Sequence, residues 1–179
     1  GEALLSIIND VLDYSRIEAE KVELEDEPFE LKQCIDETFE ILKDKKTAVL
    51  TVASFNYYPW NNLSVFKDFM DTRFKEIHEK GIKNLIIDVR FNSGGSAESS
   101  IHLLKYLVDK PFTYYADIQI KKGSGKSEGE IPQAPFANAF KGKLYFLIDG
   151  NGKSTTGHFM ASVKVLKLGT IVGEELGSN

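Results

Sequence analysis

The chain has 179 residues, a formal net charge of −5, 42% apolar residues and 27% charged residues. This composition supports a packed core and excludes wholesale disorder, and the acidic balance argues against nucleic-acid binding. No apolar run approaches the roughly 20 residues that cross a bilayer, and the N-terminus lacks a signal-peptide pattern, so no membrane segment is expected. The single Cys34 excludes an internal disulfide. One Cys with three His predicts neither a metal site nor a bound cofactor.

The charge is unevenly distributed along the chain. Residues 1–46 hold 14 acidic and 6 basic side chains, a net of −8, whereas residues 47–179 hold 13 and 16, a net of +3. We therefore interpret the chain as two different sequences joined near Lys45-Lys46-Thr47.

Residues 1–46 have the periodicity of two amphipathic helices. Apolar side chains at three- and four-residue spacing predict a first helix, and Pro28 after a charged stretch predicts a break. A second apolar stripe predicts another helix that runs through Phe39 and Leu42. The first stripe is Leu4, Leu5, Ile7, Ile8, Val11, Leu12 and Tyr14; the second is Phe29, Leu31, Cys34, Ile35, Phe39 and Leu42.

The detailed string of residues 4–19, with its Asn-Asp-x-Leu-Asp-x-Ser-x-Ile-Glu core, resembles the second dimerisation helix of sensor histidine kinases. Pro28, Phe29 and Leu31 resemble that family's linker to its ATP-binding domain. The family's phosphorylated His lies on the preceding helix, and its Asn-rich and Gly-rich ATP-binding motifs are not found here. The resemblance therefore implies helix pairing, with a homodimer formed through residues 1–20, rather than kinase activity.

The larger part, residues 47–179, alternates strand and helix patterns, which predicts an α/β layered fold. Apolar runs predict its strands, and three- and four-residue spacing predicts its helices. In chain order the predicted elements are strand 47–55, helix 63–80 closed by Gly81, strand 84–90, a helix around 99–108, strand 113–120, a polar loop 121–130, strand 143–148, helix 155–166 and a strand that opens at Thr170.

Two turns in this part carry candidate chemistry. The first runs from Asp88 to Gly94-Gly95 directly after a strand. Consecutive glycines let backbone N–H groups converge on an anion, because no Cβ blocks the approach. The alternative is an ordinary turn with no ligand.

The second turn, Gly150-Asn151-Gly152-Lys153-Ser154-Thr155, lies between a strand and a helix. A phosphate-binding loop would need glycine at the position of Leu147, so this turn is too short to wrap a phosphate chain. Ser154 could instead be a nucleophile, with free N–H groups of the helix end holding an oxyanion. The alternative is that Ser154 only caps the helix.

The two turns together resemble the carboxy-terminal processing (tail-specific) serine peptidases. Residues 84–88 with Arg90, Asn92 and Gly94-Gly95 match that family's strand and glycine turn. Ser154, Phe159, Ala161 and the run 170–174 (Thr-Ile-Val-Gly-Glu) match its nucleophile helix and following strand. The resemblance implies a crotonase-like α/β fold, incomplete here, that cleaves polypeptides through an acyl-enzyme.

The resemblance also implies roles for single residues. Ser154 would be the nucleophile, and the N–H groups of Gly94, Gly95 and Thr155 would form the oxyanion hole. The motif's usual Glu is Gly157 here, the family's general-base Lys would fall at or just beyond Asn179, and the PDZ-like module is not evident.

The sequence also bears on the general base for Ser154 and on the cellular location of the protein. His158, one helical turn after Ser154, is a speculative base, whereas we expect His78 and His102 to be structural. With the base unidentified, weak or absent activity is expected. The resemblance of the peptidase part suggests a periplasmic or extracytoplasmic protein, and that of the kinase-like part a cytoplasmic one. Because these locations are opposite, the junction fits a fusion, a mis-assembled gene or a designed chimera better than a natural enzyme. A dimerising signalling fragment and a nucleotide-binding domain are the alternative functions.

Overall fold

A computed structural model describes residues 39–56, 62–115 and 127–177. The chain divides into two units, residues 1–31 and 32–179, and every described residue belongs to the second. The helix and linker predicted before residue 39, including Cys34 and the dimerising segment, lie outside the described residues. So do Asn179 and the loop 116–126.

One five-stranded sheet organises the described residues, with strand order β1-β2-β3-β4-β5. Strand β1 pairs antiparallel with β2, and β2 through β5 are parallel. The register aligns Thr51 with Asp88 and Asp88 with Leu147, so the carboxyl ends of β2, β3 and β4 lie at one edge. The strands are β1 Phe39–Ile41, β2 Thr47–Thr51, β3 Asn84–Asp88, β4 Lys143–Ile148 and β5 Thr170–Gly173.

Three helices connect the parallel strands: α1 Ser64–Glu79, α2 Ala97–Leu107 and α3 Thr155–Val165. Helix α1 buries an apolar stripe and is followed by Gly81 at φ +62°, a left-handed conformation that glycine adopts without strain. Helix α2 begins at Ser96, whose hydroxyl accepts hydrogen bonds from the N–H groups of Glu98 and Ser99. The stripe of α1 is Phe66, Phe69, Met70, Phe74 and Ile77.

The core lies between the central strands and these helices and is rich in aromatic rings. Phe159 of α3 packs on Phe55, which follows β2, with ring centroids 5.4 Å apart, and on Phe146 of β4 at 6.1 Å. All three side chains are fully buried. Burying a side chain of this size stabilises the fold by roughly 1.5–3 kcal/mol. The contacts therefore fix the start of α3 against the end of β2.

The α/β fold and seven of the predicted elements are confirmed, with three differences. The helix predicted through Phe39 and Leu42 is wrong there, because residues 39–41 pair with β2 as a strand. Phe39 fits a helical period with Leu42 and a strand period with Ile41, and only long-range pairing decides between them. Strand 47–55 ends at Thr51, and Phe55 keeps a single bridge to Gly95. Residues 113–115 are not in a strand.

The predicted polar loop 121–130 falls partly within the described residues. Its last three residues, Glu128–Glu130, form a single 3₁₀ turn. Phe112 and Gln133, on either side of this region, form an isolated antiparallel bridge. Across the described ranges, no helix combines the length and apolarity that a membrane span requires.

Candidate active site

The two turns singled out in the sequence are in contact at the carboxyl edge of the sheet. A Cβ placed on Gly94 would lie 2.9 Å from the Ser154 Cβ, 2.9 Å from the Lys153 carbonyl oxygen and 3.1 Å from the Thr155 nitrogen. Gly94 has φ +113°, where other residues are strained. Glycine is therefore required here on two grounds, and it brings the glycine turn directly against Ser154.

The buried side chain of Asn92 joins the two turns through hydrogen bonds. Asn92 is fully buried, and its side-chain nitrogen donates a hydrogen bond of 2.7 Å to the Val52 carbonyl. Its side-chain oxygen accepts hydrogen bonds of 2.8 Å from both the Gly94 N–H and the Thr156 hydroxyl. One amide group thus links the end of β2, the glycine turn and the start of α3.

An aspartate at the end of β4 provides a second link. The Asp149 carboxylate accepts hydrogen bonds from the Phe91 N–H at 3.0 Å and from the Asn151 N–H and side-chain amide at 3.1 and 3.0 Å. Desolvation acts to raise the pKa of Asp149, but these hydrogen bonds and the Arg90 charge outweigh it, so the pKa lies below its ordinary value. Asp149 therefore holds the outer part of the glycine turn while ionised.

Arg90 and Asp88 stabilise the same turn internally. The Arg90 guanidinium donates from Nε and Nη2 to the two carboxylate oxygens of Asp88, with the shortest contact at 2.7 Å. The Arg90 N–H also donates to this carboxylate at 3.0 Å. Fork-shaped pairing of this kind fixes geometry as well as charge. The pairing of Arg90 with Asp88 therefore fixes the conformation of the turn at the end of β3.

Ser154 occupies an exposed and strained position between β4 and α3. Its backbone has φ +51° and ψ −123°, an uncommon conformation for a residue other than glycine. Its side chain makes no capping hydrogen bond to α3, so the capping role considered as the alternative is not realised. Strain of this type costs about 1–3 kcal/mol and concentrates at functional positions.

Two backbone N–H groups beside Ser154 are suited to holding an anion. Within the described part of the chain, the N–H groups of Gly95 and Thr155 have no hydrogen-bond acceptor. The Thr155 hydroxyl donates to the Gly95 carbonyl at 2.5 Å, which ties the two donors together. The N–H of Gly94, the third predicted donor, is already bonded to Asn92.

His158 does not pair with Ser154 through its side chain. The two residues share only the helical hydrogen bond from the His158 N–H to the Ser154 carbonyl, at 3.2 Å. The imidazole packs edge-on against Tyr115, with centroids 5.5 Å apart, and lies 6.1 Å from the Tyr114 ring. His78 is exposed near the end of α1, and His102 bonds to Asp71 at 2.6 Å. None of the three imidazoles is hydrogen-bonded to Ser154 in the described region.

The structure thus brings together Ser154, Thr155, Gly94 and Gly95, and leaves the imidazole of His158 apart. Sequence reasoning gave no role to Asp149 or to the side chain of Asn92. Asn92 belongs to the glycine-turn motif of the peptidase resemblance. A single sequence gives no sign, however, that its buried side chain forms hydrogen bonds with three different residues. Phe91, at φ +63° and 73% exposed, is a second strained residue in the same turn. Among the described residues, no group of three or more His, Cys, Asp or Glu side chains could hold a metal ion.

Comparisons with known proteins show which proteins this chain resembles. A stretch of 87 residues is 26% identical to the "Probable CtpA-like serine protease" of Staphylococcus epidermidis, covering 49% of this chain and 17% of that protein. The photosystem II D1 C-terminal processing protease has the same fold, with a TM-score of 0.57, 22% identity, and coverage of 73% of this chain and 31% of that one.

A different class of protein matches over a shorter stretch. The "Probable histidine kinase 4" of Oryza sativa subsp. japonica is 44% identical over 45 residues, which is 25% of this chain and 4% of that protein. The chain thus spans less than a third of each of these three relatives. The sequence model of Peptidase family S41 matches residues 46–179. On that match, which covers most of the chain, this protein belongs to Peptidase family S41.

Proposed function

We propose that residues 47–179 act as a serine endopeptidase core in which Ser154 attacks a peptide carbonyl. The observation that carries this proposal is the strained, non-capping Ser154 beside the N–H groups of Gly95 and Thr155. In an acyl transfer, the Ser154 oxygen bonds to the carbonyl carbon and the carbonyl oxygen becomes an oxyanion. Two fixed N–H donors at the place where that charge forms are the usual means of stabilising it.

In this proposal the glycine turn does not supply a third N–H donor to the oxyanion. It instead allows the backbone to approach Ser154 closely. The Gly94 N–H is engaged by Asn92, so its proposed role is to let the Gly95 donor come next to Ser154 without a side chain between them. Collapse of the tetrahedral intermediate expels the amine of the substrate and leaves an acyl-enzyme, which water then hydrolyses. The substrate would be a polypeptide, and no cofactor takes part.

The attack also requires a general base, because Ser154 must lose its proton as its oxygen bonds to the carbonyl carbon. His158 could take this role once its ring leaves the contact with Tyr115. Covalent labelling tests Ser154 as the nucleophile without depending on which group acts as the base. The peptidase half favours a site of action outside the cytoplasm.

Labelling with an alkyl fluorophosphonate probe tests the nucleophile. We expect the probe to modify Ser154, as identified by peptide mass spectrometry, and Ser154→Ala to abolish that modification. Ser93→Ala is the matched control, because Ser93 is an exposed serine in the neighbouring turn and should leave labelling within about twofold. Equal labelling of the Ser154→Ala variant would contradict the proposal.

Helix pairing through residues 1–20 is a second proposed function, supported by the 45-residue match to a histidine kinase. The apolar stripe of that segment would pack against the same stripe of a second copy. We expect a dimer in sedimentation at micromolar concentration, and a monomer for the double variant Leu5→Asp, Leu12→Asp. Ser6→Asp, on the opposite side of the predicted helix, should remain dimeric, and a monomeric wild-type chain would refute the pairing.

A further inference from the structure

A cleft of about 380 Å³ lies along α3, from His158 to Leu166 just after the end of the helix. One wall is the segment from Thr113 to Tyr115, and the other is a face of α3. Apart from His158 and the two tyrosines, no lining side chain can ionise. The lining residues are Thr113, Tyr114, Tyr115, His158, Ala161, Ser162, Val165 and Leu166.

The α3 residues that line the cleft are regularly spaced along the helix. His158, Ala161, Ser162 and Val165 follow one another at positions i, i+3, i+4 and i+7, so they share one face of α3. Val165 is 77% exposed, and Ala161 is also exposed. The face therefore presents apolar groups and a short hydroxyl side chain to whatever occupies the cleft.

The opposite wall is fixed before any ligand binds. The Tyr114 hydroxyl is buried and hydrogen-bonds to the Ser100 hydroxyl at 2.9 Å and to the Thr155 carbonyl at 3.4 Å. The Tyr115 N–H donates to the Gly129 carbonyl at 2.9 Å. A Cβ on Gly129 would lie 2.5 Å from the Tyr115 ring, so that ring lies directly on the glycine. A wall held in this way loses little entropy on binding.

One end of the cleft is also close to the proposed active site. Tyr114 contacts the carbonyl of Thr155, the residue that follows Ser154. His158 lies one turn further along α3, about 6 Å along the helix axis from Ser154 at 1.5 Å per residue. An extended peptide advances about 3.5 Å per residue. A side chain one or two residues from the scissile bond therefore reaches the His158 end of the cleft.

We propose that this cleft is a specificity subsite that binds one uncharged, branched or aromatic side chain of the polypeptide substrate. The inference rests on the proposed peptidase function of Ser154. Two tyrosine rings and an apolar helix face suit an apolar occupant. The cleft offers no carboxylate to a lysine or arginine side chain.

A binding experiment with a Ser154→Ala variant separates this proposal from catalysis. The probes are three capped tetrapeptides that differ at one position: leucine, glycine or lysine. The readout is the imidazole proton signal of His158 in NMR, assigned by its loss in His158→Gln. We expect a saturable shift with the leucine peptide and none with the other two, and equal shifts with all three would overturn the subsite.

A filling variant tests the same cleft during turnover. Ala161→Trp places a large ring inside the cleft, and Lys164→Trp, also exposed on α3, adds the same ring elsewhere. We expect Ala161→Trp to lower kcat/KM for the leucine peptide about tenfold relative to the glycine peptide, a size usual for apolar pockets. Lys164→Trp should leave that ratio within about twofold.

The outcomes distinguish the two proposals. Leucine-selective shifts in Ser154→Ala, abolished by Ala161→Trp, support the subsite even when the wild-type chain fails to label or cleave. Cleavage that depends on Ser154 but ignores both the peptide's side chain and Ala161→Trp overturns the subsite and leaves the peptidase proposal intact. A change from dimer to monomer caused by Ala161→Trp would assign the cleft to a second copy of the chain and overturn the subsite.

Discussion

Gly94 is the residue whose replacement should reveal most about the site. Its φ of +113° and the three atoms of residues 153–155 around its missing Cβ leave no room for a methyl group. The atoms in question are backbone or Cβ atoms, which cannot rotate away. A side chain at Gly94 must therefore displace the turn that carries Ser154.

We expect Gly94→Ala to lower the free energy of unfolding by about 2–4 kcal/mol and to reduce probe labelling of Ser154 by at least about tenfold. Gly81→Ala is the matched control, because Gly81 also has positive φ but no atom lies within 4 Å of its Cβ position. It should cost only about 1 kcal/mol, with labelling unchanged. Urea denaturation and labelling rates measure both effects, and equal labelling rates for the two folded variants would contradict the expectation.

Asn92 should be the residue in the glycine turn that contributes most to stability. Asn92→Ala leaves the Val52 carbonyl, the Gly94 N–H and the Thr156 hydroxyl without their partner in a buried place. We expect a loss of about 3–5 kcal/mol in unfolding free energy, since each stranded group costs about 1–3 kcal/mol before relaxation. Asn151→Ala, which removes an exposed amide bonded to Asp149, should cost under about 1 kcal/mol. Similar denaturation midpoints for the two variants would show that the network is not important for stability.

At the scale of elements, α1 and α2 are joined by a cluster of polar groups. His102 and Tyr106 of α2 both contact the Asp71 carboxylate of α1, at 2.6 and 2.7 Å. Burial, together with the hydrogen bond to Asp71 and its charge, raises the pKa of Tyr106, which therefore stays protonated and donates to that carboxylate. Desolvation lowers the pKa of His102 below its ordinary 6.5, although the same Asp71 acts in the opposite direction.

This lowered pKa predicts a pH dependence. Just below pH 6.5 the unfolded chain binds a proton at His102 before the folded chain does. The contribution of His102 to stability is therefore present above that pH and is lost as the pH falls towards the folded-state pKa. We expect the urea midpoint to fall between about pH 7 and about pH 5, with a smaller fall in His102→Gln. His78→Gln, an exposed histidine near the end of α1, should keep the wild-type profile, and identical profiles for both variants would contradict the assignment.

The elements that could be predicted from the sequence are those with a strong local pattern. The runs 84–88 and 143–148 are short and mostly apolar, and the stripe of α1 has an unambiguous period. Ile86, Tyr145 and Leu147 are only partly buried, so one face of the sheet is less covered than the other. Strand β1 could not be predicted, because Phe39 fits a helical period with Leu42 and a strand period with Ile41, and only the partner strand β2 decides. The contact between Gly94 and Ser154 was expected from the resemblance to the peptidase family, which implies that both residues belong to one site. The hydrogen bonds of Asn92 and Asp149 were not, since they join residues about 40 to 64 positions apart.

At the scale of the whole molecule, the sheet formed by the described residues ends at strand β5. Strand β5 pairs only with β4 among the described residues, and all four of its residues are exposed. Val172 is 50% exposed and Ile171 37%. An apolar edge strand with unpaired backbone groups favours pairing with another chain.

Concentration-dependent association should therefore decrease when this edge is charged. We expect Val172→Lys to raise the concentration at which light scattering begins by several-fold, because it adds charge and removes apolar surface from the edge. Thr170→Lys adds the same charge at an exposed polar position of β5 and should have the smaller effect. An equal rise for both variants would attribute association to net charge instead of to the apolar edge.

The backbone of Ser154 has a consequence for how this protein can change. At φ +51° and ψ −123° a glycine would be unstrained, so Ser154→Gly would relax the turn while deleting its hydroxyl. A library screened only for thermal tolerance and a second library screened for probe labelling would therefore select differently at position 154. Glycine that is enriched in the first library but not in the second would show that serine is retained there for its chemistry.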